Sequence, residues 1–256
     1  MSTLKEKIVF VTGASSGIGR SCARAFAAQK AGILVCARRD ERLAKLADEL
    51  KKEFGVPAHH FPLDVRSRSA VEKAVAAVPE EWRRIDILVN NAGLSRGLDK
   101  LHQGLPEDWE EMIDANVKGL LYVTRAVLPG MVERGRGHII NIGSVAGHEV
   151  YPGGNVYCAT KFAVRALSRG LRLDLSGTPI RVSEVSPGMV ETEFSLVRFH
   201  GDGARADKVY QGLEPLTPDD IAEAVVWCAT RPAHVNVSEI VVMPTAQAST
   251  TLVYRK

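Results

Sequence analysis

Short, continuously apolar runs alternate with longer amphipathic stretches along the whole chain, and this alternation restricts the possible folds more than any other feature. The first strand is expected over 7–12 and the first helix over 16–30. Further strands are expected over 33–37, ending near Leu63-Asp64-Val65, and over 85–90, 138–143, 180–186 and 239–243. Helical segments fall between them at 67–78, 106–115, 117–134, 154–175 and 218–230. Asp40 reads as the cap of another helix, whose inward positions are Leu43, Leu46 and Leu50. Strands without a polar face must be covered on both sides, and intervening helices provide the cover. The expected fold class is therefore α/β, a doubly wound parallel sheet in a three-layer α/β/α arrangement. No Pro-, Gly- or Ser-rich linker divides the 256 residues, so the expectation is a single domain over 1–256. The polar segment at about 190–212, with Gly201 and Gly203, interrupts the alternation and reads as a lid-like insertion.

Charge and cysteine usage remove several classes of function. Thirty-three basic and 30 acidic residues are interspersed, leaving a net charge of +3 with no block of one sign. Neither a nucleic-acid surface nor a membrane-binding tail is expected. No apolar stretch reaches the ~18 residues of a membrane span. The charged start Met1-Ser2-Thr3-Leu4-Lys5-Glu6-Lys7 does not read as a secretory leader. Cys22, Cys36, Cys158 and Cys228 are widely spread, with no C-x-x-C pair. Free thiols in a reducing cytoplasm follow, with Cys158 a small buried residue. The seven histidines show no ligand spacing, so no metal is expected.

Where the first strand ends, Thr12-Gly13-Ala14-Ser15-Ser16-Gly17-Ile18-Gly19 spaces its glycines G-x-x-x-G-x-G. Such a turn lets backbone approach a diphosphate while the next helix points its N-terminal amides at it. The position between strand and helix is what gives the motif weight. The second strand ends in Cys36-Ala37-Arg38-Arg39-Asp40. An acid here would bind a ribose 2′-hydroxyl; alanine and two arginines suit a 2′-phosphate instead, so NADP is favoured over NAD. Asp64-Val65, Asn90-Asn91-Ala92-Gly93 and Ser186-Pro187-Gly188 stand at the ends of other strands, on the side where such sheets bind ligands. Asp64 is placed to accept from an adenine amino group.

Tyr157 and Lys161 are four residues apart on one helix, thirteen after Ser144. Residues i and i+4 share a helix face. A phenol titrates near pH ~10, and bringing it to about 7 takes roughly 4 kcal/mol. One cation at about 4 Å supplies on the order of 4 kcal/mol at an effective dielectric of ~20. The pair is thus of the right size to make the phenol an acid–base group.

Taken together, Thr12 to Gly19, Asp64, Asn90 to Gly93, Asn116, Ser144, Tyr157, Lys161 and Pro187-Gly188 with Thr192 resemble the short-chain dehydrogenase/reductase family. The segments 128–134, 138–144, 153–157, 193–199 and 232–236 are similar to its NADP-dependent 3-hydroxy acid (serine or allo-threonine) dehydrogenases. The resemblance implies a Rossmann-type fold and a homotetramer. It implies catalytic roles for Asn116, Ser144, Tyr157 and Lys161: Tyr157 as acid–base, Lys161 lowering its pKa and binding the nicotinamide ribose, Ser144 bonding the substrate oxygen, and Asn116 holding a water. It implies a cofactor shell of Gly13, Ser15, Ser16, Gly17, Ile18, Gly19, Arg38, Arg39, Asp64, Val65, Asn91, Ala92, Gly93, Tyr157, Lys161, Pro187, Gly188, Val190 and Thr192. Around Ser144, candidate substrate residues are Arg96, His148, Glu149, Phe194 and Arg198, with Arg198 or Arg96 the cation for an anionic substrate. The expected reaction is hydride transfer between NADP(H) and a short 3-hydroxy acid or its carbonyl, of the serine, malonic semialdehyde or sulfoacetaldehyde type. Two alternatives stand beside it: a general carbonyl or 3-oxoacyl-thioester reductase, and a non-catalytic NADP-binding scaffold or sensor. The tail after Pro244 is expected either to meet a neighbouring subunit or to fray.

Overall fold

The computed structural model describes residues 4–256. Seven parallel strands form one sheet in the order β3-β2-β1-β4-β5-β6-β7. They are β1 Ile8–Thr12, β2 Gly32–Ala37, β3 Ala58–Pro62, β4 Ile85–Asn90, β5 Gly137–Ile142, β6 Ile180–Pro187 and β7 Glu239–Val242. Alternating residues of the central strands enter two separate cores, as the period of two requires. Val9, Val11, Ile33, Val35, Val89 and Ile140 pack on one face with α1 (Gly17–Ala28), α2 (Asp40–Phe54) and α9 (Pro218–Ala229). Phe10, Leu34, Leu88 and Ile139 pack on the other with α3 (Arg68–Ala77) and α5 (Leu120–Glu133). The three-layer arrangement follows, because neither face of these strands tolerates water.

Strand order reverses between β1 and β4, which opens a crevice at their carboxyl ends. Three local readings change. Asp40 is the first residue of α2 and Arg39 holds the cap position, so the carboxylate meets the positive helix end as a charge and not as a cap. The third strand stops at Pro62, before Leu63. The segments expected at 106–115 and 117–134 form a continuous run in which α4 (Pro106–Ile113) passes through a π turn, Asp114–Gly119, into α5. That wide turn carries Asn116, and such turns occur often at functional sites.

After α6 (Asn155–Asp174) and β6, the segment 190–212 contains two short helices, α7 (Phe194–Arg198) and α8 (Gly203–Tyr210). Tyr210 ties it together, sharing a 2.8 Å bond with Ser195 and donating to the Val190 carbonyl at 2.9 Å. The tail is tied back to the chain while Leu252 and Tyr254 stay exposed. Gln247 and Val253 pair as an antiparallel bridge, and the Lys256 amide donates to Gly212 at 2.9 Å. The tail therefore folds back beside α8. No helix among the described residues is long and apolar enough to cross a membrane.

Candidate active site

A cleft of about 760 Å³ runs along the carboxyl ends of β1, β4, β5 and β6. Its floor at the switch point is locked by Thr12, whose hydroxyl accepts from the Asn91 and Ala92 amides at 3.1 and 3.0 Å. Asn91 returns the bond, its side-chain amide donating to the Thr12 and Gly13 carbonyls at 2.9 and 3.2 Å. Two glycines are required here. Gly13 adopts φ +67°, and a Cβ on it would lie 2.8 Å from Ala92 Cα; a Cβ on Gly19 would overlap the Asn91 amide and the Gly13 carbonyl. Gly13, Ser15, Ser16, Gly17 and Ile18 line the cleft, whereas Gly19 sits beneath it and serves packing.

Arg38, Arg39, Asp64, Val65, Asn91, Ala92, Gly93, Pro187, Gly188, Val190 and Thr192 also line it. Arg39 donates to Ser15 and Ser16 at 3.0 and 2.7 Å and pairs with Glu193 at 2.8 Å. Arg42 clasps the same carboxylate at 2.7 Å, and the two guanidiniums hold Glu193 at a pKa of about 2. Asp64 is gripped by Arg66 at 2.6 Å. Burial alone would raise its pKa, but the Arg66 hydrogen bonds and charge keep it below the usual carboxylate range.

Ser144, Tyr157 and Lys161 meet at the other end of the cleft. The Lys161 ammonium is buried, donates to the Ile142 carbonyl at 2.9 Å, and lies 5.9 Å from the Tyr157 ring centre. Burial lowers its pKa to about 8, against the opposing charge of Glu184. Tyr157 differs from the sequence expectation. Burial raises its pKa, Tyr151 adds to the rise, and the lowering influences are Arg198 and a hydrogen bond with Ser144. A cation from α7 is therefore among the groups that lower it, with the Arg198 Cζ 5.4 Å from the ring centre. The i, i+4 spacing placed Lys161 near the ring, but its ammonium is turned to the β5 carbonyl. Asn116 does not line the cleft. It is buried and pins the loop after β4, accepting from the Leu94 amide and donating to the Leu94 carbonyl, both at 2.8 Å.

The substrate candidates divide. Phe194 and Arg198 line the cleft, and the Phe194 ring meets Tyr157 edge-on at 5.6 Å. Arg198 also donates to the Tyr151 hydroxyl at 3.2 Å, while its buried Nε has no hydrogen-bond partner among the described residues. Arg96, His148 and Glu149 do not line the cleft. Arg96 is committed to Glu111 at 2.6 Å and to the Val197 carbonyl, so it holds α7 in place. A tight turn at Val145–Gly147 directs His148 away from the strand end to Glu239, 2.9 Å away. Glu149 accepts from the Thr250 amide at 3.0 Å and anchors the tail. Sequence reasoning missed Tyr151 and the tail, where Gln247, Thr250, Thr251, Val253 and Arg255 all face the cleft. Gln247 accepts from the Met189 amide at 2.8 Å, a contact spanning 58 positions that no local pattern announces.

A Rossmann-type crevice ending in a Ser, Tyr and Lys cluster defines a class of oxidoreductase. The family model for short chain dehydrogenase matches residues 7–201, and the chain belongs to that family. It is 54% identical over 242 residues to the NADP-dependent 3-hydroxy acid dehydrogenase YdfG of Escherichia coli, covering 94% of this chain and 96% of that one. It is 48% identical to sulfoacetaldehyde reductase 2 of Chromohalobacter salexigens, covering 94% and 95%. Among solved structures it is similar to the closed form of a serine dehydrogenase complexed with NADP+, at 53% identity and a TM-score of 0.90, covering 97% and 100%.

Proposed function

We propose that this enzyme interconverts a short, anionic 3-hydroxy acid and its carbonyl compound with NADP(H). The observation that carries the substrate class is Arg198. It is the guanidinium that stands over the Tyr157 ring, and its buried Nε lacks a partner, so it offers a donor beside the acid–base group. A carboxylate or sulfonate one or two carbons from the reacting hydroxyl would take that donor. The named activities of the relatives agree with this chemistry.

The residues fit NADP. Gly13 and Gly17 keep the phosphate end clear of side chains, and Arg38 and Arg39 line the cleft where a 2′-phosphate would lie. When bound, the cofactor accepts or donates the hydride. Tyr157 exchanges the proton with the substrate oxygen, and Ser144 fixes that oxygen by a hydrogen bond. Lys161 supplies a charge whose proton affinity lies near neutrality. Asn116 positions the loop after β4. The segment 190–212 acts as a lid, since it brings Phe194 and Arg198 against Tyr157 and is tied by Glu193 to Arg39 and Arg42.

A homotetramer is part of this reading, supported by exposed Leu121 and Val132 on α5 and Phe162 and Leu173 on α6; sedentimentation or light scattering reads the state directly. Free, buried Cys22, Cys36, Cys158 and Cys228 support a cytoplasmic location. Short hydroxy acids, aldehydes, neutral ketones and a 3-oxoacyl thioester, assayed with NADP(H) and NAD(H), test the function. A preference for neutral ketones or thioesters would remove the acid specificity. Tyr157→Phe should abolish turnover and leave NADPH binding intact; full turnover would return the chain to a binding role.

A further inference from the structure

All three guanidinium nitrogens of Arg39 are engaged by the protein itself. Its Nε and Nη2 donate to the Ser15 hydroxyl at 3.1 and 3.0 Å, and Nη2 also donates to Ser16 at 2.7 Å. Its Nη1 donates to Glu193 Oε2 at 2.8 Å. Arg42, on α2, takes the other oxygen of the same carboxylate at 2.7 Å. Glu193 stands immediately before α7, 154 and 151 positions from the two arginines it joins. Arg38 is held more loosely, 3.7 Å from Glu111.

A 2′-phosphate that reaches Arg39 must share it with these partners, and they respond differently. The Ser15 and Ser16 hydroxyls can turn their own protons toward the phosphate and become donors to it. Glu193 has only acceptor oxygens and stays ionised, because the two guanidiniums hold its pKa at about 2. Carboxylate and phosphate on one guanidinium repel each other, so one of the two anions has to leave Arg39. Arg42 offers the carboxylate another place. Arg39 and Glu193 line the cleft and Arg42 does not, so it stands away from the cofactor.

We propose that Glu193 competes with the 2′-phosphate of the cofactor for Arg39, and that Arg42 receives the carboxylate when the phosphate arrives. Glu193 is then a specificity-determining residue. It weakens NADP(H) binding and leaves NAD(H), whose 2′-hydroxyl carries no charge, unaffected. Arg42 is a positioning residue that acts on the cofactor only through Glu193. The proposal rests on the reading of Arg39 as a 2′-phosphate ligand. Since Glu193 leads into the helix that bears Phe194 and Arg198, its retreat keeps α7 tied to α2 whichever cofactor is bound.

Adenosine 2′,5′-bisphosphate and adenosine 5′-monophosphate differ in the contested phosphate and carry no nicotinamide. Calorimetric titration of both, and of NADPH and NADH, into the whole enzyme reads the competition without turnover. Glu193→Gln should bind the bisphosphate and NADPH about fivefold more tightly, the scale of an exposed ion pair, since the Arg39 and Glu193 side chains are 43% and 40% exposed. The monophosphate and NADH should change by less than about twofold. Arg42→Met should weaken both ligands that bear a 2′-phosphate about threefold, and should change nothing in the Glu193→Gln background. Unchanged or weaker bisphosphate binding by Glu193→Gln would overturn the proposal, because the carboxylate would then order the arginines instead of competing for them. So would equal gains for the two nucleotides, or an Arg42→Met loss that persists in the double variant. If Glu193→Gln does not fold, Arg42→Met decides: its loss must be confined to the ligands with a 2′-phosphate. An Arg39→Ala enzyme with unchanged bisphosphate affinity would instead sink the underlying reading of Arg39.

Discussion

Arg198→Met separates the charge at the mouth of the site from the packing around it. Methionine keeps an unbranched stem against Phe194 and Tyr157 and deletes the guanidinium, whose Cζ is 5.1 and 5.4 Å from those ring centres. Opposite charges about 4 Å apart are worth on the order of 4 kcal/mol at an effective dielectric of ~20. The cleft is open and Arg198 is only partly buried, so roughly half of that is expected. A loss of ~2 kcal/mol is about 30-fold in kcat/KM, at 1.36 kcal/mol per factor of ten. A neutral alcohol of the same length has no charge to lose and should change less than about threefold. Arg198 also lowers the proton affinity of Tyr157, so its removal should shift the pH–rate profile to higher pH for both substrates. The ratio of the two kcat/KM losses, measured at saturating NADP+, cancels that shared shift. Equal losses for charged and neutral substrates would refute Arg198 as the anion receptor.

Three further perturbations probe the rest of the site. Gly19→Ala drives a Cβ into the Asn91 amide and the Gly13 carbonyl, at a cost of ~1–3 kcal/mol; calorimetry should show a Tm lower by several degrees, with weaker NADPH binding. Arg39→Ala removes the donor shared by Ser15, Ser16 and Glu193 and should weaken NADPH by roughly tenfold to a hundredfold while sparing NADH; a matched loss of both cofactors in titrations would exclude it from 2′-phosphate recognition. Lys161→Met should be more stable than wild type at neutral pH, because the folded pKa of about 8 lies below the ordinary 10.5 and the buried charge costs up to ~3 kcal/mol. Between those two values the unfolded chain binds a proton that the folded one lacks, so wild-type stability rises with pH and the variant's advantage shrinks; denaturant melts that show a constant gap would contradict the burial argument.

Much of the architecture was readable because it is written in local periods. Val9, Phe10 and Val11 must separate onto two faces, and Leu43, Leu46 and Leu50 must share one. The glycine turn was readable for a similar reason: its spacing is a local steric requirement. Register at element ends was less so. Asp40 and Arg39 exchange places at the start of α2, since cap and first-turn positions both attract acids. For the substrate residues, proximity in sequence misled. His148 and Glu149 follow a strand end, yet the turn at Val145–Gly147 carries both away from the cleft.

The sequence by itself determined the α/β sheet, the cofactor turn and the helix face shared by Tyr157 and Lys161, because each depends on spacings within a few turns of chain. Tertiary structure alone brought a second cation to that phenol. Arg198 reaches it across 41 positions through α7, Lys161 turns to the Ile142 carbonyl, and Glu184 gathers Glu239 and His148 behind it. Electrostatic influence follows distance in space and depth of burial, and neither is set until the strands have taken their order in the sheet.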